Sequence, residues 1–227
     1  MPAAAPPPYQ AGAPMPAQQA TFATPAGLEK EPMLLLDVTG SMNYGTSANN
    51  PTPRRDTIHE AIGIIVAALA EQDSQAAHEE GGGGLRTVIF SGGRAADIGD
   101  LNPSNLNQVW SQIQWGGGTR IMPGWNTLIN TYMQEFGQED PSRRPVLMAL
   151  VITDGEADDT AQFAQAVAQA SGGVYVALAI IGYGPEHDAA LRAYQQIEQT
   201  NGNVKVIPFG SETDPQVIAH GLLRMIE

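Results

Sequence analysis

With 227 residues, 42% of them hydrophobic, the chain is long enough to bury a sizeable core, roughly 70% of the unfolded surface for a domain of this size. Lys+Arg 11 against Asp+Glu 24 gives a net charge of −13; this argues against nucleic acid or an anionic lipid surface as partner, because both need clustered cations. Cysteine is absent, which excludes disulfides, thiolate metal sites and cysteine nucleophiles and suits a reducing, cytoplasmic location.

In chain order, residues 1–28 open with "MPAAAPPPYQAGAPMPAQQATFATPAG", a Pro/Ala/Gln-rich composition that reads as a flexible, disordered tail. The stretch lacks both a charged n-region and a Leu/Val-rich h-region, so it is not read as a secretory signal. No run of about 18 apolar residues follows, so no membrane insertion is expected. Residues 29–227 are read as one domain. "PMLLLD" (32–37), "LRTVIFS" (85–91), "VLMALVITD" (146–154), "GVYVALAIIG" (173–182) and "NVKVIPF" (203–209) are continuous apolar runs, the pattern of strands buried on both faces of a parallel sheet. Helical patterns lie between them at 56–72, 103–114, 122–136, 159–171, 186–200 and 214–226; Asp158–Thr160, Pro185 and "TDP" supply start signals for three of these. The spacing predicts a doubly wound α/β fold of about six strands, mostly parallel, with helices on both faces. One exception is read at "FSGGRAADIGDL", where Gly92-Gly93 turns a hairpin into a short antiparallel edge strand near 95–98,. "EEGGGG" (79–84) and "GQEDPSRRP" (137–145) are read as a connector and a surface turn.

Ligands of open α/β sheets collect at the carboxyl ends of the strands. Asp37 ends the first apolar strand and Asp154 ends "LVITD"; Thr39 and Ser41 follow Asp37, and Thr119 leaves the glycine-rich "WGGGT". If the two strands are neighbours, Asp37, Thr39, Ser41, Thr119 and Asp154 converge on one point. Two carboxylates that close repel unless a cation lies between them. Oxygen donors without His or Cys select a hard divalent ion, Mg²⁺ or Mn²⁺ rather than Ca²⁺.

These three segments, "DVTGS", the Thr119 loop and "TDG", resemble in order and spacing the metal-ion-dependent adhesion site of the von Willebrand factor type A family, over nearly all of residues 31–227. The resemblance implies a central sheet with one antiparallel edge strand. It also implies an Mg²⁺ held by hydroxyls of Thr39, Ser41 and Thr119 and carboxylates of Asp37 and Asp154, some through water. Thr39 departs from the commoner serine but keeps the hydroxyl. The implied function is protein binding, in which a partner's Asp or Glu completes the metal shell, and no enzyme activity is expected. The alternative is an Mg²⁺-dependent hydrolase or phosphatase at the same centre. Against it, Thr39 stands where a haloacid-dehalogenase-type D-x-D needs its second acid, and "TGSMNYG" is not the G-x-S-x-G of a serine hydrolase,.

Ordinary roles are expected for the remaining candidates. Glu156, Asp158 and Asp159 are acids at a helix start, where the dipole favours them. His59, His78, His187 and His220 lack metal-ligand spacing. Trp110, Trp115 and Trp125 are read as core, although an exposed one beside the metal would make a partner contact.

Overall fold

The computed structural model describes residues 22, 24, 27–76, 84–155, 157–170 and 172–226. Each apolar run becomes a strand: β1 (Lys30–Asp37), β4 (Leu85–Ser91), β6 (Val146–Thr153), β7 (Val174–Ile181) and β8 (Val204–Gly210). With the edge strand β5 (Arg94–Leu101) they form one six-stranded sheet in the order β5-β4-β1-β6-β7-β8. All neighbours are parallel except β4 and β5. The edge strand is longer than the 95–98 expected, and Gly92 and Gly93 turn it with φ of 54° and 83°, the left-handed pair that a two-residue hairpin requires.

All eight residues of β6 are buried, because helices cover both faces of the sheet. Side-chain alternation sends Leu34, Leu36, Met148, Leu150 and Ile152 to one core, against α1 (Arg54–Ala76) and α6 (Pro215–Ile226). Met33, Leu35, Leu147, Ala149 and Val151 face the other, against α3 (Met122–Phe136), α4 (Thr160–Gln169) and α5 (Pro185–Thr200). A shorter helix, α2 (Leu106–Gln112), lies before the glycine loop. It starts later than the 103 expected because Asn102 Oδ1 accepts the N–H groups of Ser104 and Asn105, closing a turn first. Two further strands, β2 (Gly45–Ser47) and β3 (Asn50–Pro53), pair as a separate antiparallel ribbon. Its sequence has no apolar alternation, and Pro51 and Pro53 are residues that ordinarily argue against a strand,.

Residues 1–21, most of the stretch read as a tail, lie outside the described residues, as do most of the 79–84 connector and Glu156. Phe22, within the expected tail, is buried with its ring edge-on to Tyr175, centroids 5.3 Å apart. Among the described residues no helix is long and apolar enough to cross a membrane.

Helix α3 approaches the sheet closely at Gly124, where a Cβ would lie 2.7 Å from Leu35 Cδ1 and 2.8 Å from Phe90 Cβ. On helix propensity alone, Ala would gain about 1 kcal/mol over Gly. Overpacking against the Phe90 stem opposes this by about 1–3 kcal/mol. Gly124→Ala is therefore expected to destabilise the protein in urea unfolding, and a stabilised variant would mean that the helix–sheet contact is loose.

Candidate metal centre

The chain leaves β1 in opposite directions. Through α1 it reaches β4 and β5 on one side; after α3 it returns to β6 on the other. The crevice between the carboxyl ends of β1 and β6 is thus the switch point of the sheet. Leu36 pairs with Ile152 in the parallel register, which sets Asp37 beside Thr153 and brings Asp154 just past it. Thr153 Oγ1 donates to Asp37 Oδ2 at 2.7 Å, and Gly155 N donates back to Thr153 Oγ1 at 3.1 Å. Gly155 has φ of 104°; this left-handed turn lets the chain bend sharply after Asp154.

The other Asp37 oxygen, Oδ1, accepts the Thr39 N–H at 2.9 Å. Thr39 begins a single 3-10 turn, Gly40–Asn43, and its hydroxyl lies 3.1 Å from that of Ser41. Asp37, Thr39 and Asp154 are buried, and Ser41 and Thr119 are half-buried. The glycine loop is attached through its backbone. Gly116 N donates to Val38 O (2.9 Å), Gly40 N to Gly117 O (3.2 Å) and Gly92 N to Gly118 O (2.7 Å), while Asp158 N donates to Thr119 O (3.1 Å). Ser91 Oγ also donates to Gly116 O. Hydrogen bonds therefore join the Asp37 carboxylate to the Thr39 N–H and the Thr39 hydroxyl to that of Ser41. Asp154 acts on Asp37 through charge, and Thr119 is positioned by its loop.

Burial, followed by the charge of Asp154, pushes the Asp37 carboxyl from 3.8 up to about 7, against the hydrogen bonds from Thr39 and Thr153 that favour the ionised form. Asp154 is held differently. Arg54, at the start of α1, donates from Nη1 to Asp154 Oδ2 at 2.8 Å, and both side chains are buried. Asp154 Oδ1 is buried with no hydrogen-bond partner among the described residues. The buried His187 ring lies 3.4 Å from the Asp154 carbonyl; burial lowers its pKa, so Arg54 supplies the positive charge on this side.

Two of these residues have roles that sequence reasoning missed. Asp159 does not merely favour its own helix dipole. Its two oxygens accept the N–H groups of Ile121 and Met122 at 2.9 and 3.1 Å, tying the start of α3, and with it the Thr119 loop, to the loop after β6. For Arg54, the available signal was the pair "RR" at the start of α1, where the dipole disfavours cations. Of the tryptophans, Trp125 is core. Trp110 and Trp115 are half-buried and pack against each other with tilted rings, centroids 5.1 Å apart. The exposed aromatic near the site is Tyr44, at 66% relative exposure, three residues after Ser41.

The donors are two carboxylates and three hydroxyls, and among the described residues no three His, Cys, Asp or Glu side chains cluster. Such a set fits a hard, oxygen-loving ion, and the orphaned Asp154 Oδ1 is a buried acceptor that such an ion would satisfy.

No protein-family model matches the chain, and no curated protein matches it either. Solved structures do. A von Willebrand factor type A protein from Catenulispora acidiphila superimposes with a TM-score of 0.58 at 15% identity, over 87% of this chain and 42% of that one. BatB from Bacteroides thetaiotaomicron gives 0.55 at 16% identity, over 86% and 98%. The SpRpn10 VWA domain gives 0.55 at 10% identity, over 86% and 94%. The chain thus spans less than half of the first of these proteins and nearly all of the other two. At such identities the likeness is one of fold, and together with the strand order it establishes that this chain has the fold of von Willebrand factor type A domains.

Proposed function

We propose that the chain is a divalent-metal-dependent protein-interaction module. In this reading Asp37, Thr39, Ser41, Thr119 and Asp154 hold Mg²⁺, or Mn²⁺ in its place, and an Asp or Glu side chain from a partner protein completes the ion's shell. The observation that carries the reading is a surplus of buried acceptors at one spot. Among the described residues, two carboxylates at the ends of adjacent strands are answered by a single guanidinium, and Asp154 Oδ1 is left without a partner. A buried, unsatisfied carboxylate oxygen is costly, and a cation would relieve it.

When bound, the ion supplies an electron-poor position that takes up a carboxylate, because hydroxyl ligands donate less charge than carboxylates do. The chain's own residues prepare that position. Thr153 and the Thr39 N–H fix the two Asp37 oxygens, and Asp159 holds the segment that follows Thr119. Tyr44, exposed on the loop after Ser41, offers aromatic surface for partner contact of the sort that dominates interface energetics. What favours binding over hydrolysis is the composition of the centre, in which Thr39 stands where a D-x-D motif needs its second acid and which, among the described residues, has no hydroxyl–histidine pair of the kind that activates a serine.

The test is a thermal melt with and without Mg²⁺. The wild-type protein is expected to gain about 2.7 kcal/mol at an Mg²⁺ concentration a hundredfold above Kd, and Ser41→Ala is expected to lose that gain. Identical melts of the wild-type protein in Mg²⁺ and in chelator would sink the proposal. Capture of a partner that depends on Mg²⁺ and competes with free glutamate-rich peptide would extend it to the acidic ligand.

A further inference from the structure

Arg54 is the part of this site that the donor set does not explain. It opens α1, where the helix dipole disfavours a cation, and it is 7% exposed, so its charge has been taken out of water at a cost of several kcal/mol. Local helix formation requires neither. The side chain is nevertheless closely confined. Its Cζ lies 5.9 Å from the centre of the Tyr183 ring. A Cβ on Gly182 would come within 3.1 Å of Cζ and 3.2 Å of Nη2. The Arg54 N–H donates to Tyr44 O at 2.9 Å, anchoring the helix start to the loop that carries Ser41. Among the described residues the guanidinium Nε has no partner, while Nη1 donates to Asp154 Oδ2.

With both acids ionised, Asp37 and Asp154 offer two negative charges and Arg54 cancels one of them. An incoming dication therefore meets half the charge that the acids alone would present. It also meets a fixed positive group on one of its own ligands, in surroundings that screen charge less than water does. We infer that Arg54 is a resident counter-ion of the candidate metal centre, competing with the divalent ion for Asp154 and weakening its hold. The inference rests on the metal-binding reading above and adds a control on how readily the site loads. The guanidinium stabilises the metal-free state and sets a threshold that the ion must overcome.

The experiment is Mn²⁺ binding to the full chain, followed by electron paramagnetic resonance and by calorimetry, scoring only the binding that Ser41→Ala removes. Arg54→Gln keeps an N–H donor without the charge, and Arg54→Met keeps the apolar stem against Tyr183. Each is expected to bind Mn²⁺ about tenfold more tightly than wild type or better, the scale of removing one nearby like charge. Arg54→Lys retains the charge and is expected to stay within about threefold of wild type on the same ground. If wild type binds Mn²⁺ and the Gln and Met variants bind equally or more weakly, this inference fails while the metal reading stands. If neither wild type nor any variant binds, the metal reading fails and takes the inference with it.

Discussion

Asp154→Ala is expected to lower the stability of the metal-free protein by about 3–5 kcal/mol, the usual cost of leaving one partner of a buried ion pair uncompensated. Arg54 and Asp154 meet at 2.8 Å with side chains 9% and 3% exposed. Removing the carboxylate strands a buried guanidinium that loses its bond to Asp154 and whose Nε has no partner among the described residues. Against a total stability of about 5–15 kcal/mol for a typical domain, such a loss is large and easily read from urea unfolding in chelator. The same change in an Arg54→Met background is expected to cost much less, on the order of 1 kcal/mol, because no charge is left to strand. A double-mutant cycle thus has a coupling of more than about 2 kcal/mol as its expected result. Additive costs would show that the pair contributes nothing as a pair.

This expectation corrects a simpler one that treats the two acids of the site as interchangeable. From the sequence, Asp37 and Asp154 look equivalent, each closing an apolar strand with a loop behind it. The sheet itself was legible for the same reason. Runs such as "VLMALVIT" carry no polar face, so they belong between two helical layers. Their alternation with helical periodicity left little choice of architecture. The glycine pair at 92–93 announced the antiparallel edge strand of the six-stranded sheet.

What the sequence did not announce depends on contacts between distant segments. Arg54 and Asp154 are 100 positions apart, and Asp159 reaches back 38 and 37 positions to Ile121 and Met122. A local reading assigns an acid at a helix start to its own dipole, and only the folded chain reveals a different helix as the beneficiary. The β2–β3 ribbon was hidden for another reason. Its residues, "GTS" and "NPTP", have neither alternation nor β-branched runs, so backbone pairing there is set by neighbouring structure rather than by local preference. The ribbon matters to the site, since Tyr44 and Arg54 flank it and are bonded to each other. The candidate donors were thus readable as residue types, while the electrostatic balance between them was not.

That balance gives Asp37 a response of opposite sign to Asp154. Burial and the neighbouring carboxylate raise its pKa from 3.8 to about 7 in the metal-free protein, so between those values the folded chain holds a proton that the unfolded chain has released. Stability from this group is complete below pH 4 and is lost as pH rises through 7. Asp37→Asn cannot ionise, so in chelator it is expected to gain on wild type steadily from pH 5 to pH 8, by on the order of a few kcal/mol at the upper end. Comparing the two proteins at each pH cancels His187, whose lowered pKa works in the opposite direction over part of this window. The same comparison sets aside Asp97 and Asp140, whose lowered values confine their titration to more acid solution. A divalent ion should reverse the trend, because it binds the ionised carboxylate and must displace the proton. Wild-type Mg²⁺ affinity is accordingly expected to rise by up to about tenfold per pH unit below pH 7 and to level off above it. A stability difference between Asp37→Asn and wild type that stays flat across pH 5–8 in chelator would mean that Asp37 is ionised throughout. The repulsion between the two carboxylates, on which the need for a metal depends, would then already be relieved by Arg54.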